Sequence, residues 1–283
     1  MSVVMTVEER WERLAQASDE LRDLAEGALL IAAHEYPGLD IDAYLQRLET
    51  LAGALRRRLR PDIGGPERLI ALNRYLFEEL GFSGNTADFY DPRNSYLNEV
   101  IDRRLGIPIS LSVVYIDIGR RLGLPLRGVS FPGHFLVKCT LHAGVVVLDP
   151  FAKGASLSAQ ALCERLDAGT EDTAGQDTGR LKAVLQAAST AEILARMLRN
   201  LKAIHRQRGD MSRALWAADR ILTLMPESGA AYRERGSIYL ELECFRAALA
   251  DFSRYAELAP AAAAAEGVRS TIADLRNRAA RLN

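Results

Sequence analysis

The chain has 283 residues, 48% of them hydrophobic, which is enough to bury one large core or two ordinary ones. Thirty-six basic residues against 37 acidic ones leave a formal charge of −1. No overall field therefore draws in a phosphate backbone or an anionic membrane, and nucleic acid is not an expected partner.

The N-terminal stretch MSVVMTVEERWERLAQ turns acidic early and lacks the basic start and apolar run of a signal peptide. No run of about 18 uncharged apolar residues predicts a membrane span. Cys139, Cys163 and Cys244 lie far apart without C-x-x-C spacing, so reduced thiols and a cytoplasmic location are expected.

From Val7 to Leu59 apolar residues recur every three or four positions, with breaks near Ser18-Asp19 and at Tyr36-Pro37-Gly38. This pattern predicts two or three amphipathic helices. Arg56, Arg57, Arg58 and Arg60 close the last one, where cations suit the negative end of the helix dipole better than they make an anion patch. Past the breaker-rich 61–66, a helix is predicted over Glu67 to Leu80, ending at Gly81.

Another helix is predicted over Ser95 to Leu105, capped by Asn94 or Ser95 and ended by Gly106. Asn94, Asn98 and Asp102 are spaced four apart, with Glu99 beside them. They are expected either to line a binding pocket or to form a solvated helix face. Ile107-Pro108-Ile109-Ser110 then leads into the apolar run Leu111 to Leu122. Pro108 suits a first helical position, which puts Ser110 at or near a helix N-terminus.

After Gly123-Leu124-Pro125 the residue types change. Leu126 to Ser130, His134 to Leu141 and Gly144 to Leu148 are short, rich in Val, Leu and Phe, and separated by turn formers. They predict a small antiparallel meander. The stretch AGTEDTAGQDTG, 168–179, is almost devoid of apolar residues and predicts a loop or linker.

Everything beyond Leu181 reads as helix. Pro226 and Pro260 lie 34 residues apart, as do Ala214 and Ala248, the period of a tetratricopeptide unit. Tyr232, Gly236, Tyr239, Ala248, Phe252 and Pro260 fit the second unit. The first keeps Leu201, Ala214 and Pro226 but has His205 where a large aromatic is usual. A last helix is predicted over Ala261 to Leu282.

Three groups suggest chemistry: Ser110 at the start of a buried helix, His134 at the start of a strand, and Asp149 at the end of the next. In that order they offer a nucleophile, a base and an orienter. The bland reading of His134 is a turn residue beside Pro132-Gly133. Cys139 follows His134 by an odd offset on one strand, which puts it on the opposite face and in the core. Cys163 and Cys244 are expected to be buried small apolar groups. His34, His142 and His205 show no metal-ligand spacing, and neither a metal nor a cofactor is expected.

The run NSYLNEVIDRRLGIPISLSVVYIDIGRRLGLPLRGVSFPGHFLVK, followed by LDPF, resembles the transglutaminase-like domain of the bacterial Sir-B family, whose members also carry a tetratricopeptide-like tail. The resemblance implies an α+β fold: a helical layer over 1–83 and a degenerate, papain-like core over 84–167 with a small antiparallel sheet. A linker over 168–180 and an all-helical tail over 181–283 complete the expected organisation.

In active members of the wider superfamily a cysteine begins the central helix, a histidine begins one strand and an aspartate lies on the next. His134 and Asp149 match the last two roles, and the cysteine's place falls on Ser110, or on Pro108 or Ile109. A hydroxyl needs its proton removed during attack, whereas a thiol beside an imidazolium ionises. The resemblance therefore implies a pseudoenzyme that binds a protein or peptide partner through the cleft and the tail. A serine-nucleophile hydrolase or acyltransferase using Ser110, His134 and Asp149 is the alternative.

Overall fold

The computed structural model describes residues 5–167 and 178–280 and divides the chain into two compact units, between Ile193 and Leu194. The first unit is α+β. Its three leading helices, α1 (Val7–Gln16), α2 (Leu24–Ala33) and α3 (Ile41–Arg56), are broken where the sequence predicted. Each has a side-chain cap: Thr6 with Glu9 in a capping box, then Asp23 and Asp40. The arginines after α3 are used internally: Arg58 pairs with Glu79, and Arg60 with Asp62.

The single helix expected over Glu67 to Leu80 is two pieces, α4 (Gly65–Asn73) and a π-helical turn, Arg74–Glu79. β1 (Ser83–Gly84) and β2 (Leu105–Gly106) pair in parallel around a 3-10 turn, Pro92–Asn94, and α5 (Leu97–Arg103). The helix predicted from Ser95 is thus shorter at both ends. Pro92 opens a separate turn before it, and Arg104 ends it in the left-handed conformation, φ 58°.

α6 (Pro108–Arg121) is the axis of this unit. Pro108 occupies its first position, as predicted, and its residues from Pro108 to Ile116 are buried. α2, α3, α5, β3 (Leu126–Val129) and β4 (Leu136–Leu141) all pack on it. The meander runs β3-β4-β5-β6, with β5 (Gly144–Asp149) and a short edge strand, β6 (Ala155–Leu157), that the sequence reading lacked. Register places Val137 opposite Leu148, which brings the chain entering β4 to the end of β5.

α7 (Ala159–Asp167) and α8 (Thr178–Val184) cover the sheet. Leu162, Leu166 and Leu181 share a buried cluster with Val129, Phe131, Leu136 and Val147, and Val184 and Leu185 pack against it. This corrects the expected boundary at 181: the residues just after it belong to the first unit, because their apolar side chains cover the sheet. Most of the expected linker, 168–177, lies outside the described residues.

α9 (Thr190–Gln207) runs across the division. In the second unit α10 (Met211–Leu224), α11 (Gly229–Glu241) and α12 (Phe245–Leu258) follow, each packed on the next. Ala214 and Ala248, one period apart, are both fully buried where helices meet closely. Arg235 bonds Asp219 and nearly buried Asp251, joining α11 to both neighbours. The predicted last helix is broken at Gly267, φ 67°, into α13 (Pro260–Ala265) and α14 (Val268–Ala280).

Candidate functional site

Ser110 stands at the third position of α6, where four backbone N–H groups lack partners within the helix. Its Oγ accepts from the Ile107 N–H at 3.0 Å and donates to the Asn94 carbonyl at 2.6 Å, with the Ile107 carbonyl 3.2 Å away. The residue is fully buried. Among the described residues, every hydrogen-bond partner of this hydroxyl is a backbone group.

Asn94 continues the same network. Its Nδ2 donates to the Asp88 carbonyl at 2.7 Å and its Oδ1 accepts from Asn85 at 3.1 Å, while Asn85 Oδ1 accepts the Asp88 N–H. The bonds radiating from Ser110 thus reach the loop between β1 and the 3-10 turn. Phe89 and Tyr90 stand exposed on that loop.

His134 and Asp149 do meet. The imidazole Nε2 lies 2.9 Å from Asp149 Oδ1. His134 sits in the turn before β4 rather than in the strand, and is partly exposed, whereas Asp149 ends β5 as predicted and is buried. The same Oδ1 accepts from the Phe151 and Ala152 N–H groups, and Oδ2 from Arg165 at 3.2 Å.

Burial alone would raise the Asp149 pKa, but hydrogen bonding and attraction from His134, the Ala152 N–H and Arg165 outweigh it and hold it below the usual aspartate value. A carboxylate so held fixes which imidazole nitrogen faces it. Asn73 secures the adjacent turn by donating to the Gly154 carbonyl and accepting from Tyr115 on α6.

A row of rings starts at His134. Phe151 packs edge-on to it with centroids 6.1 Å apart, Phe89 edge-on to Phe151 at 6.1 Å, and Tyr90 edge-on to Phe89 at 5.4 Å. The Phe151 ring lies against Gly84, where an added Cβ would come within 2.3 Å of it. Neither Arg165 nor this row was singled out from the sequence. Arg165 lies on α7 with no spacing signal to Asp149, and Phe151 was legible only as part of Leu148-Asp149-Pro150-Phe151.

Asn94, Asn98 and Asp102, expected on one helix face with Glu99 beside them, stand in different surroundings. Asn94 lies in the 3-10 turn, off α5, because Pro92 starts a separate turn. Asn98 is buried, and its Oδ1 has no hydrogen-bond partner. Glu99 is half-buried, and Asp102 is held at the surface by Tyr44 at 2.5 Å and Arg47 at 2.6 Å. Of the cysteines, Cys139 is buried as predicted and its thiol pKa is raised by burial. Cys163 is only half-buried and Cys244 is exposed in the turn before α12, which corrects the expectation that both are buried.

Residues 42–199 match the transglutaminase-like superfamily, and 201–273 match the tetratricopeptide repeat. The UPF0162 protein of Xylella fastidiosa is 44% identical over 267 residues, covering 94% of this chain and 95% of that protein. The UPF0162 protein of Vibrio cholerae is 30% identical over 252 residues, 88% and 91% of the two chains. F-box only protein 21 of Homo sapiens is 34% identical over 185 residues, 62% of this chain and 28% of that protein. The chain belongs to the transglutaminase-like superfamily and, within it, to the UPF0162 family. Among the described residues, no helix is long and apolar enough to cross a membrane.

Proposed function

We propose that this is a cytoplasmic, non-catalytic transglutaminase-like protein that binds a peptide or protein segment on the surface beside His134, with the helical tail as a second docking surface. The observation that carries the reading is the bonding of Ser110: its Oγ is buried and committed to Asn94 and Ile107. A nucleophile needs an approach path and a base within hydrogen-bond reach, and among the described residues this buried hydroxyl is bonded to backbone groups instead.

What is open instead is aromatic. Phe89 and Tyr90 are exposed on a loop fixed by Asn85 and Asn94, and such anchored rings are the usual carriers of binding energy at protein interfaces. Stacked helix pairs of the tail's kind present extended docking surfaces. The likeness to 28% of F-box only protein 21 fits a module carried alongside different companion domains.

A peptide-display selection followed by calorimetry tests this. Selected peptides should lose about tenfold in affinity or more on Phe89→Ser with Tyr90→Ser. Unchanged affinity, or ester or amide turnover abolished by Ser110→Ala, would overturn it. The His134–Asp149 contact favours the second reading, a serine hydrolase or acyltransferase. That reading requires a hydroxyl-directed acylating probe to label Ser110, and to stop doing so in His134→Ala.

A further inference from the structure

A cleft of about 190 Å³, whose lining shares no residue with the surroundings of His134, opens among α3, the π-helical turn and the end of α5. Leu51, Leu80, Phe82 and Ile101 are its apolar lining residues, and Arg47 and Arg104 stand among the others. An apolar cavity of about 150 Å³ is enough to hold a benzene ring.

Two locally costly pieces of backbone converge on it. The π-helical turn Arg74–Glu79 runs directly into Leu80 and is held by Leu80 N–H to Tyr75 and Phe82 N–H to Leu76, both 2.9 Å. Such turns are rare and gather at functional sites. Arg104 adopts φ 58°, where glycine carries no Cβ penalty.

The charges around the cleft are unequal. Arg47 is paired with Asp102 and lies over the Tyr44 ring. Arg104 donates to the neutral Leu80 carbonyl, and among the described residues no carboxylate pairs with it. One guanidinium in excess, next to a ring-sized apolar surface, is complementary to one carboxylate on an apolar body.

We propose that this cleft binds a small carboxylic acid, with the carboxylate on the Arg104 guanidinium and the apolar body against Phe82 and Ile101. Planar guanidinium takes a carboxylate through two parallel hydrogen bonds. This site is separate from the surface beside His134 and does not depend on the function proposed for it.

The test is a titration of the full chain with benzoate, and with neutral benzamide as its match in shape, followed by the methyl resonances of Leu51, Leu80 and Ile101. Benzoate should give saturable shifts, and benzamide should bind about tenfold more weakly or worse. Arg104→Gly removes the guanidinium at a position glycine tolerates, and should weaken benzoate by a similar factor of about ten while leaving the rest of the spectrum in place. No saturable shift at millimolar benzoate, or benzamide binding as well as benzoate in the wild type, would overturn the proposal. So would unchanged benzoate binding in a folded Arg104→Gly variant.

Discussion

At the N-terminus of α6 every bond of Ser110 points inward, to Asn94 and to its own helix, whereas at the end of β5 the buried Asp149 holds a partly exposed imidazole. Both sites place a polar side chain at the end of an element, and both satisfy it. The difference is where the satisfied network ends. From Ser110 it ends on loop backbone, and its product is a fixed loop. From Asp149 it ends on a ring that solvent and a partner can reach. Of the three residues that the resemblance groups together, His134 and Asp149 are hydrogen-bonded to each other, while the Ser110 hydroxyl is bonded to backbone groups.

The largest effect should come from the Asp149 side. Asp149→Ala removes the acceptor shared by His134, Arg165 and the Phe151 and Ala152 N–H groups, and should cost about 3 kcal/mol in urea unfolding, less than for a fully buried pair because the His134 and Arg165 side chains are partly exposed. The same carboxylate sets a pH dependence. Its folded pKa is depressed, so its contribution is present above the unfolded value of about 4 and is lost as pH falls through the folded one. Wild type should therefore lose more stability than Asp149→Asn on acidification below about pH 4, and parallel curves would contradict the assigned bonding.

On the other side, Ser110→Ala leaves the Ile107 N–H and the Asn94 carbonyl buried without the hydroxyl, at about 2 kcal/mol. Hydrogen exchange should rise in the loop carrying Phe89 and Tyr90, and an unchanged loop would break the proposed link between them. Gly84→Ala pushes a Cβ into the Phe151 ring and should cost about 1–2 kcal/mol while disturbing the His134 ring resonances. Smallest in stability is Phe89→Ser with Tyr90→Ser. Both side chains are exposed, so each change should move unfolding by about 0.5 kcal/mol or less while removing partner binding.

Much of the frame was legible in the residues. Pro108 and the apolar run after it located α6, short Val-, Leu- and Phe-rich runs between turn formers located the meander, and a 34-residue spacing located the tail. The π-helical turn was not, because the sequence 67–80 keeps an unbroken helical rhythm whichever carbonyls accept its N–H groups. Leu181, Val184 and Leu185 read as one apolar helix face, and periodicity cannot say whether that face meets the sheet or the tail.

At the site, His134 and Asp149 could be matched by their place on strands, but the direction of the Ser110 hydroxyl could not. A serine near a helix N-terminus can turn back on its own backbone, and here it does so while also reaching a carbonyl sixteen residues away. Asn94 was misplaced because its four-residue spacing to Asn98 was read as one helix, whereas Asn94 ends a separate 3-10 turn that Pro92 opens.

The most direct test of the claim that Ser110 is a sealed structural bridge is thiol labelling of a Ser110→Cys variant, resolved by peptide mass spectrometry. The native cysteines supply the scale: Cys244 is exposed, Cys163 half-buried and Cys139 buried. The introduced thiol should be protected like Cys139 in the folded protein and react only on unfolding. Labelling as fast as Cys244, with Cys139 still protected, would show that position 110 is open to reagents and would contradict the account.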